Sequence, residues 1–341
     1  MNKVELPILP TSVIGSYPKP RWLLRQYKLY ELGKVPEEDF KEAVRDASVA
    51  VLREHERAGI DIPWDGEMGR SEMTEYFTSK IHGFRFYGPI RVWGNFYFNK
   101  ASAVSKLEYK EPLVLDEFKF IQSVTTRKIV KVPITGPYTL AEWSFNEYYD
   151  TKEDFAMDLA KILNKEFKLL EKEGAMFIQI DEPAILNHPN EVEWAVDVVN
   201  RAVKGLKIKV GMHVCYSNYY LLADYFDDLN VTQFALEFAN RNFRDMDFLK
   251  KLTSQELGFG VIDVHNPRIE TPEEVARAIR KVFNYIEPER LYINPDCGLK
   301  LLSRDIAYRK LVNMVKGVEI VRKELEREGK TSIPLRTLKD I

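Results

Sequence analysis

Residues 206–217 read LKIKVGMHVCYS, a short β-branched run that carries a histidine and a cysteine two residues apart and then breaks into a polar loop. Side chains alternate between faces in an extended chain, so His213 and Cys215 point the same way. The same form recurs outward from this stretch along the chain. Upstream lie TSVIG (11–15), GIDIPWDGE (59–67), IVKVPITG (129–136) and AMFIQIDEP (175–183). Downstream lie TQFALEF (232–238), GFGVIDVHN (258–266) and LYINPDCG (291–298). Segments with helical periodicity separate most of them, at 36–58, 152–173, 191–205 and 272–285, with a shorter one at 246–252 and a terminal one at 304–328. In the first of these, Phe40, Ala43, Val44, Ala47 and Val51 recur at spacings of three and four. Eight strands in regular alternation with helices predict an α/β chain folded as a (β/α)8 TIM barrel, one domain over residues 1–341. An open dinucleotide-binding sheet would bring a glycine-rich phosphate loop after its first strand, and IGSYPKP (14–20) is not one.

The segment 80–120 breaks this rhythm. It holds the aromatic stretches FRFYG and RVWGNFYF and reads as a hairpin-bearing insertion after the second strand, covering the barrel mouth. Such aromatics also occur in base-stacking platforms. Here 50 Lys plus Arg stand against 52 Asp plus Glu, a formal net charge of −2, which leaves no field to attract nucleic acid or an anionic membrane. No stretch of about 18 apolar residues is present, so no membrane span is expected. The charged N-terminus lacks the apolar run of a signal peptide. With only two cysteines, the expected setting is the reducing cytoplasm, where metal ligation is favoured over a disulfide.

Barrels of this kind gather their active sites at the C-terminal ends of the strands. In the predicted register those ends carry Ser16, Glu67, Asp181, His213, Cys215, Glu237, His265 and Cys297. A generic pair of cysteines reads as two buried thiols or one disulfide. At strand ends, beside His213 and Glu237, Cys215 and Cys297 read instead as part of a tetrahedral zinc set. Structural zinc more often uses closely paired ligands, so a set spread over three strand ends points to catalysis. Two thiolates, a carboxylate and a neutral imidazole carry three negative charges, of which a divalent ion leaves one. That electron-rich shell suits a substrate thiol, whose pKa is about 8.5 when free, better than it suits the making of hydroxide. Glu237 is the hard ligand of the set, and it is expected to yield when a substrate sulfur enters.

Glu67 and Asp181 offer a seat for a positively charged amine, and Ser16 in its IGS turn offers N–H and hydroxyl groups to a carboxylate. Asp181 with Glu182 also reads as the acid and base of a glycosidase, a reaction in which a soft zinc shell has no role. An amine seat, a carboxylate seat and a thiophilic metal describe a thiol amino acid. Among the lesser candidates, His55 reads as an exposed helix residue, Trp64 and Met68 as packing, and His82, in the insertion, and His188, in the loop LNHPN, as residues within reach of the mouth. Tyr216, Ser217 and Asn218 are placed to orient His213 or a ligand.

These motifs resemble the catalytic C-terminal half of the cobalamin-independent methionine synthases, the zinc-dependent homocysteine methyltransferases. The stretches concerned are VIGSYP (13–18), DGEMGRSEMTEYF (65–77), ITGPYTLAEWSF (134–145), IQIDEPA (178–184), MHVCYSNY (212–219), LEFAN (236–240), DVHNPR (263–268) and NPDCGLK (294–300). The resemblance implies that His213, Cys215, Glu237 and Cys297 bind zinc. It further implies that Ser16, Glu67 and Asp181 hold the amino-acid part of homocysteine, that Trp143 stacks near a pterin and that His265 supplies a proton to the methyl donor. The family's N-terminal barrel, which helps hold a folate polyglutamate tail, has no counterpart in these residues, and YGPIRVWG (87–94) replaces a cysteine-containing stretch of the folate site. The chain therefore resembles a short, single-barrel branch. For that branch the expected donor is methylcobalamin or a methylated corrinoid protein, ahead of methyltetrahydrofolate.

Overall fold

The structure, a computed structural model, describes residues 4–93 and 96–340. In chain order its strands are β1 (Glu5–Pro7), β2 (His82–Trp93), β3 (Phe96–Glu108), β4 (Val132–Thr135), β5 (Phe145–Asn146), β6 (Phe177–Asp181), β7 (Lys209–Val214), β8 (Gln233–Leu236), β9 (Glu256–Gly260), β10 (Leu291–Asn294) and β11 (Ser332–Pro334). Six of them form one parallel sheet in the order β10-β9-β8-β7-β6-β4. These strands are buried on both faces, which explains why they read as nearly continuous apolar runs. β1 and β11 pair antiparallel and join the N- and C-terminal segments.

Two of the eight expected strands are not strands. Segments 11–15 and 59–67 make only isolated parallel bridges, Thr11 with Ile293 and Ser12 with Ile62. Single backbone bonds continue the line: Ser12 N–H to Ile293 O at 2.8 Å, Ile62 N–H to Thr11 O at 3.0 Å and Lys131 N–H to Pro63 O at 3.3 Å. Pro63 has no N–H to extend a ladder, and the chain leaves the extended region at Gly66 (φ 76°) and Glu67 (φ 62°). The hydrogen-bonded ladder is therefore an open sheet with β10 and β4 at its edges, not the closed eight-stranded ladder expected.

The helices follow from local signals. Lys152–Lys172 starts on Thr151, whose side chain accepts from Asp154 N–H, and Pro272–Val282 starts on a full capping box between Thr271 and Glu274. Glu37–Ala58 stops at Gly59, a left-handed residue with φ 93°. Within the expected insertion, β2 and β3 form the hairpin, and the helix Leu115–Val124 follows. The hairpin lies against helix Lys152–Lys172, where the Phe84 and Phe155 rings are 6.0 Å apart, and β3 pairs with β5. His55 is buried, not exposed. Its Nδ1 sits 2.8 Å from Trp64 O, and its ring meets the edge of Tyr17. The helix periodicity of its charged neighbours hid this inward-facing position. Trp64 and Met68 are packing residues, as expected, and both are fully buried.

Candidate metal centre and substrate cavity

Asp181 and His213 are register partners on adjacent strands, the first at the end of β6 and the second one residue before the end of β7. Cys215 follows β7 directly, Glu237 follows β8, and Cys297 lies three residues beyond β10. Parallel strands in register thus deliver these groups from distant parts of the sequence to one end of the sheet. The ligand atoms of His213, Cys215 and Cys297 all lie within 4.8 Å of one another. Both cysteines are free thiols.

The His213 ring is oriented by the Ala235 carbonyl, 2.9 Å from Nδ1, and not by Tyr216, Ser217 or Asn218. With Nδ1–H donated to that carbonyl, Nε2 presents its lone pair, and Nε2 is buried with no hydrogen-bond partner. Ser217 instead bonds Cys215 O, and Asn218 caps the short helix Tyr219–Ala223. Glu237 is fully buried. One oxygen accepts the Tyr216 N–H at 2.7 Å, while the other, Oε1, has no hydrogen-bond partner and lies 3.7 Å from His265 Nε2. Glu237 is not within the 4.8 Å spacing of the other three.

The charges at this cluster reinforce one another. The Cys215 thiol and the His213 imidazole hold Cys297 well below the ordinary thiol range. Interaction with Cys297 and burial push Cys215 well above it. Burial opposes charging of His213, but the Cys297 sulfur outweighs it and raises the imidazole to about 9, so the Nε2 lone pair becomes available to a metal by release of that proton. Two thiol sulfurs, an orphaned imidazole lone pair and an orphaned carboxylate oxygen form a donor set that fits zinc.

A cavity of about 330 Å³ opens above the cluster. His213, Cys215 and Cys297 line it together with Ser16, Glu67, Asp181, Trp143 and His265. Glu237 does not line it. The packing around Ser16 and Glu67 leaves no spare room. A Cβ on Gly15 would stand 2.5 Å from Glu67 Oε1, and one on Gly298 would overlap Ser16 Oγ. Glu67 holds a left-handed conformation secured by its N–H to Asp65 Oδ1 at 2.9 Å, with Arg70 3.6 Å behind its carboxylate. Burial lifts Asp181 to about 7 despite His213, the Gln179 amide at 2.7 Å and the buried Lys131.

Glu182 points the other way. Its carboxylate accepts the N–H groups of Tyr138 and Thr139 at 2.9 and 2.8 Å and the Thr139 hydroxyl at 2.7 Å, so it anchors the start of the helix Pro137–Glu142 that leads into Trp143. The paired-carboxylate arrangement of a glycosidase is therefore not formed. His188 is taken up by Glu142 at 2.8 Å and does not line the cavity, although its neighbour Asn187 does. Two supporting groups carried no sequence signal. Asp296 holds the loop after Glu237, and Lys131 is buried with its amine 3.4 Å from Ser12 Oγ. A lysine inside an apolar run gives no hint of which wall it will face.

Residues 9–319 match the family described as cobalamin-independent synthase, catalytic domain. A methionine synthase of Thermococcus kodakarensis is 82% identical over 333 residues, covering 98% of this chain and 99% of that protein. One from Pyrococcus furiosus is 78% identical over 338 residues, 99% of this chain and 100% of that protein. Among solved structures, a B12-independent methionine synthase from Shewanella sp. W3-18-1 in complex with selenomethionine is similar at a TM-score of 0.85 and 30% identity, over 94% of this chain and 99% of that one. The family's description overturns the corrinoid expected as methyl donor and as partner. That expectation rested on finding no counterpart of a second barrel in these residues, which speaks to how a folate tail is held and not to which atom carries the methyl group. With four-fifths identity to a methionine synthase along nearly its whole length and a family match over most of its residues, the chain belongs to the cobalamin-independent methionine synthases, enzymes that methylate homocysteine.

Proposed function

We propose that this chain transfers a methyl group from methyltetrahydrofolate to the sulfur of homocysteine in a zinc-dependent reaction. The observation that carries this reading is a single cavity lined both by His213, Cys215 and Cys297, whose ligand atoms lie within 4.8 Å of one another, and by Ser16, Glu67 and Asp181. His213, Cys215 and Cys297 would hold zinc, with Glu237 as the fourth and more weakly held ligand. When bound, zinc supplies the deprotonation of a thiol at neutral pH without loss of its nucleophilicity. Glu67 and Asp181 bind the substrate ammonium, and Ser16 binds its carboxylate. This pins the sulfur at the cysteine wall. Trp143 offers a flat apolar face to the donor. In the transfer a carbon–sulfur bond forms and a carbon–nitrogen bond breaks, and the departing amine takes a proton from His265 at the cavity rim.

In the same reading, segments 11–15 and 59–67 complete a (β/α)8 barrel between β10 and β4. Residues 1–341 are then one catalytic unit, with 80–120 as an insertion near the barrel mouth. The test is metal analysis of the purified protein together with methionine formation from homocysteine and methyltetrahydrofolate. About one zinc per chain and turnover that disappears with the metal are expected. Full turnover by metal-free protein, or turnover restricted to methylcobalamin, would overturn the zinc or the donor assignment respectively.

A further inference from the structure

Tyr216 has an unusual position. It follows Cys215 in a left-handed conformation, φ 53°, which residues with a Cβ seldom adopt. Its side chain is 66% exposed, so core packing does not explain the strain. Its two ends serve two different residues of the site. The backbone N–H donates to Glu237 Oε2 at 2.7 Å, and the phenol oxygen lies 3.0 Å from His265 Nδ1. The two rings also touch, with centroids 4.8 Å apart and planes tilted by 48°. His265 itself sits on a loop beyond β9, where its N–H donates to Asp263 Oδ1 at 2.9 Å. Its Nε2 faces Glu237 Oε1 at 3.7 Å.

We propose that Tyr216 is a positioning residue for His265: its hydroxyl holds the imidazole through Nδ1 so that Nε2 faces the reacting groups, while its backbone N–H holds Glu237 opposite that nitrogen. This rests on the reading of His265 as proton donor. A phenol oxygen suits the task because it can accept Nδ1–H from the imidazolium that serves as proton donor and still accepts it after Nε2 has given up its proton. The ring thus keeps one orientation on both sides of the transfer. The left-handed turn is what brings both contacts from one residue. In an ordinary extended continuation of β7, successive N–H groups and side chains would point to alternate sides of the strand.

Tyr216→Phe removes only the hydroxyl and keeps the backbone and the ring. Expected is a loss in kcat of about 10- to 100-fold, within or just below the usual range for general acid catalysis, with zinc content and the homocysteine KM unchanged. In a His265→Asn background the same substitution should produce no further loss, since Tyr216 acts through His265. The second readout needs no turnover: in 15N-labelled protein without substrate, the His265 ring-nitrogen resonances should report one hydrogen-bonded arrangement of the ring, and in Tyr216→Phe they should move toward a mixture of tautomers. An unchanged His265 resonance in Tyr216→Phe would overturn the positioning role. So would independent, multiplicative losses in the double variant. Full turnover in His265→Asn alone would instead overturn the proton-donor reading, and the catalytic half of this proposal with it, while the resonance still reports the hydrogen bond.

Discussion

The carboxylate of Asp296 accepts the backbone N–H of Asn240 at 2.7 Å, and it also takes those of Phe238 and Ala239 at 2.9 and 3.0 Å. Asp296 immediately precedes Cys297, and the three N–H groups immediately follow Glu237, so one side chain locks the end of β10 to the end of β8. Two candidate zinc ligands are thereby held in a fixed relation by a residue that does not line the cavity.

Asp296→Ala strands three backbone donors, two of them bonded to one oxygen. It should cost about 3 kcal/mol of stability, given about 1–3 kcal/mol for each buried unsatisfied group. Zinc affinity should fall about 10- to 100-fold, as when partners behind metal ligands are removed. Urea unfolding and zinc competition with a chelator measure the two effects separately. Asp296→Asn keeps one acceptor oxygen and should fall between the variant and the parent.

The spacing of the cluster separates Glu237 from the other ligands. Cys215→Ser and Cys297→Ser each remove a member of the triad within 4.8 Å and should leave the purified protein essentially free of zinc. Glu237→Gln should retain zinc with affinity lowered about 10-fold, a change of about 1.4 kcal/mol. Equal loss of metal in all three variants would show Glu237 to be an equal ligand.

Glu67 and Asp181 should govern recognition of the substrate ammonium. Glu67→Gln and Asp181→Asn should each raise the homocysteine KM about 10- to 100-fold, in line with about 1.5–3 kcal/mol for a charge-assisted hydrogen bond. Zinc content should be unaffected. An acceptor thiol without the amino group should be equally poor for the parent and both variants. Discrimination by the parent alone is the signature of the amine seat.

Burial lowers the His55 pKa from 6.5 to about 4. The unfolded chain therefore binds more protons than the folded one between these values. The resulting stabilisation is complete above the unfolded pKa and is lost as pH falls from about 6.5 toward 4, at about 1.4 kcal/mol per pH unit. Replacing His55 with Gln should flatten this part of the acid limb. Chemical denaturation from pH 7 to 4, in parent and variant, measures the difference in slope.

The sequence by itself determined the order of elements, the parallel strands and the strand ends at which chemistry-bearing residues stand. Periodicity and caps are local properties, and β6 to β10 and the main helices fall close to where the residues place them. His213 and Cys215 share a face simply because they are two apart in an extended chain. The resemblance to known motifs added roles that no spacing can supply. Only the tertiary structure decided which groups meet. Segments 11–15 and 59–67 look like strands but make isolated bridges; in the second, Pro63 and the left-handed Gly66 and Glu67 prevent a ladder. Glu182 and Asp181 are adjacent in sequence, yet one turns back to hold a helix start and the other faces the cavity. Tyr216, Asp296, Lys131 and His55 owe their contacts to partners 9 to 119 residues away, and a hydrogen bond across such a span exists only once packing has brought its two ends together.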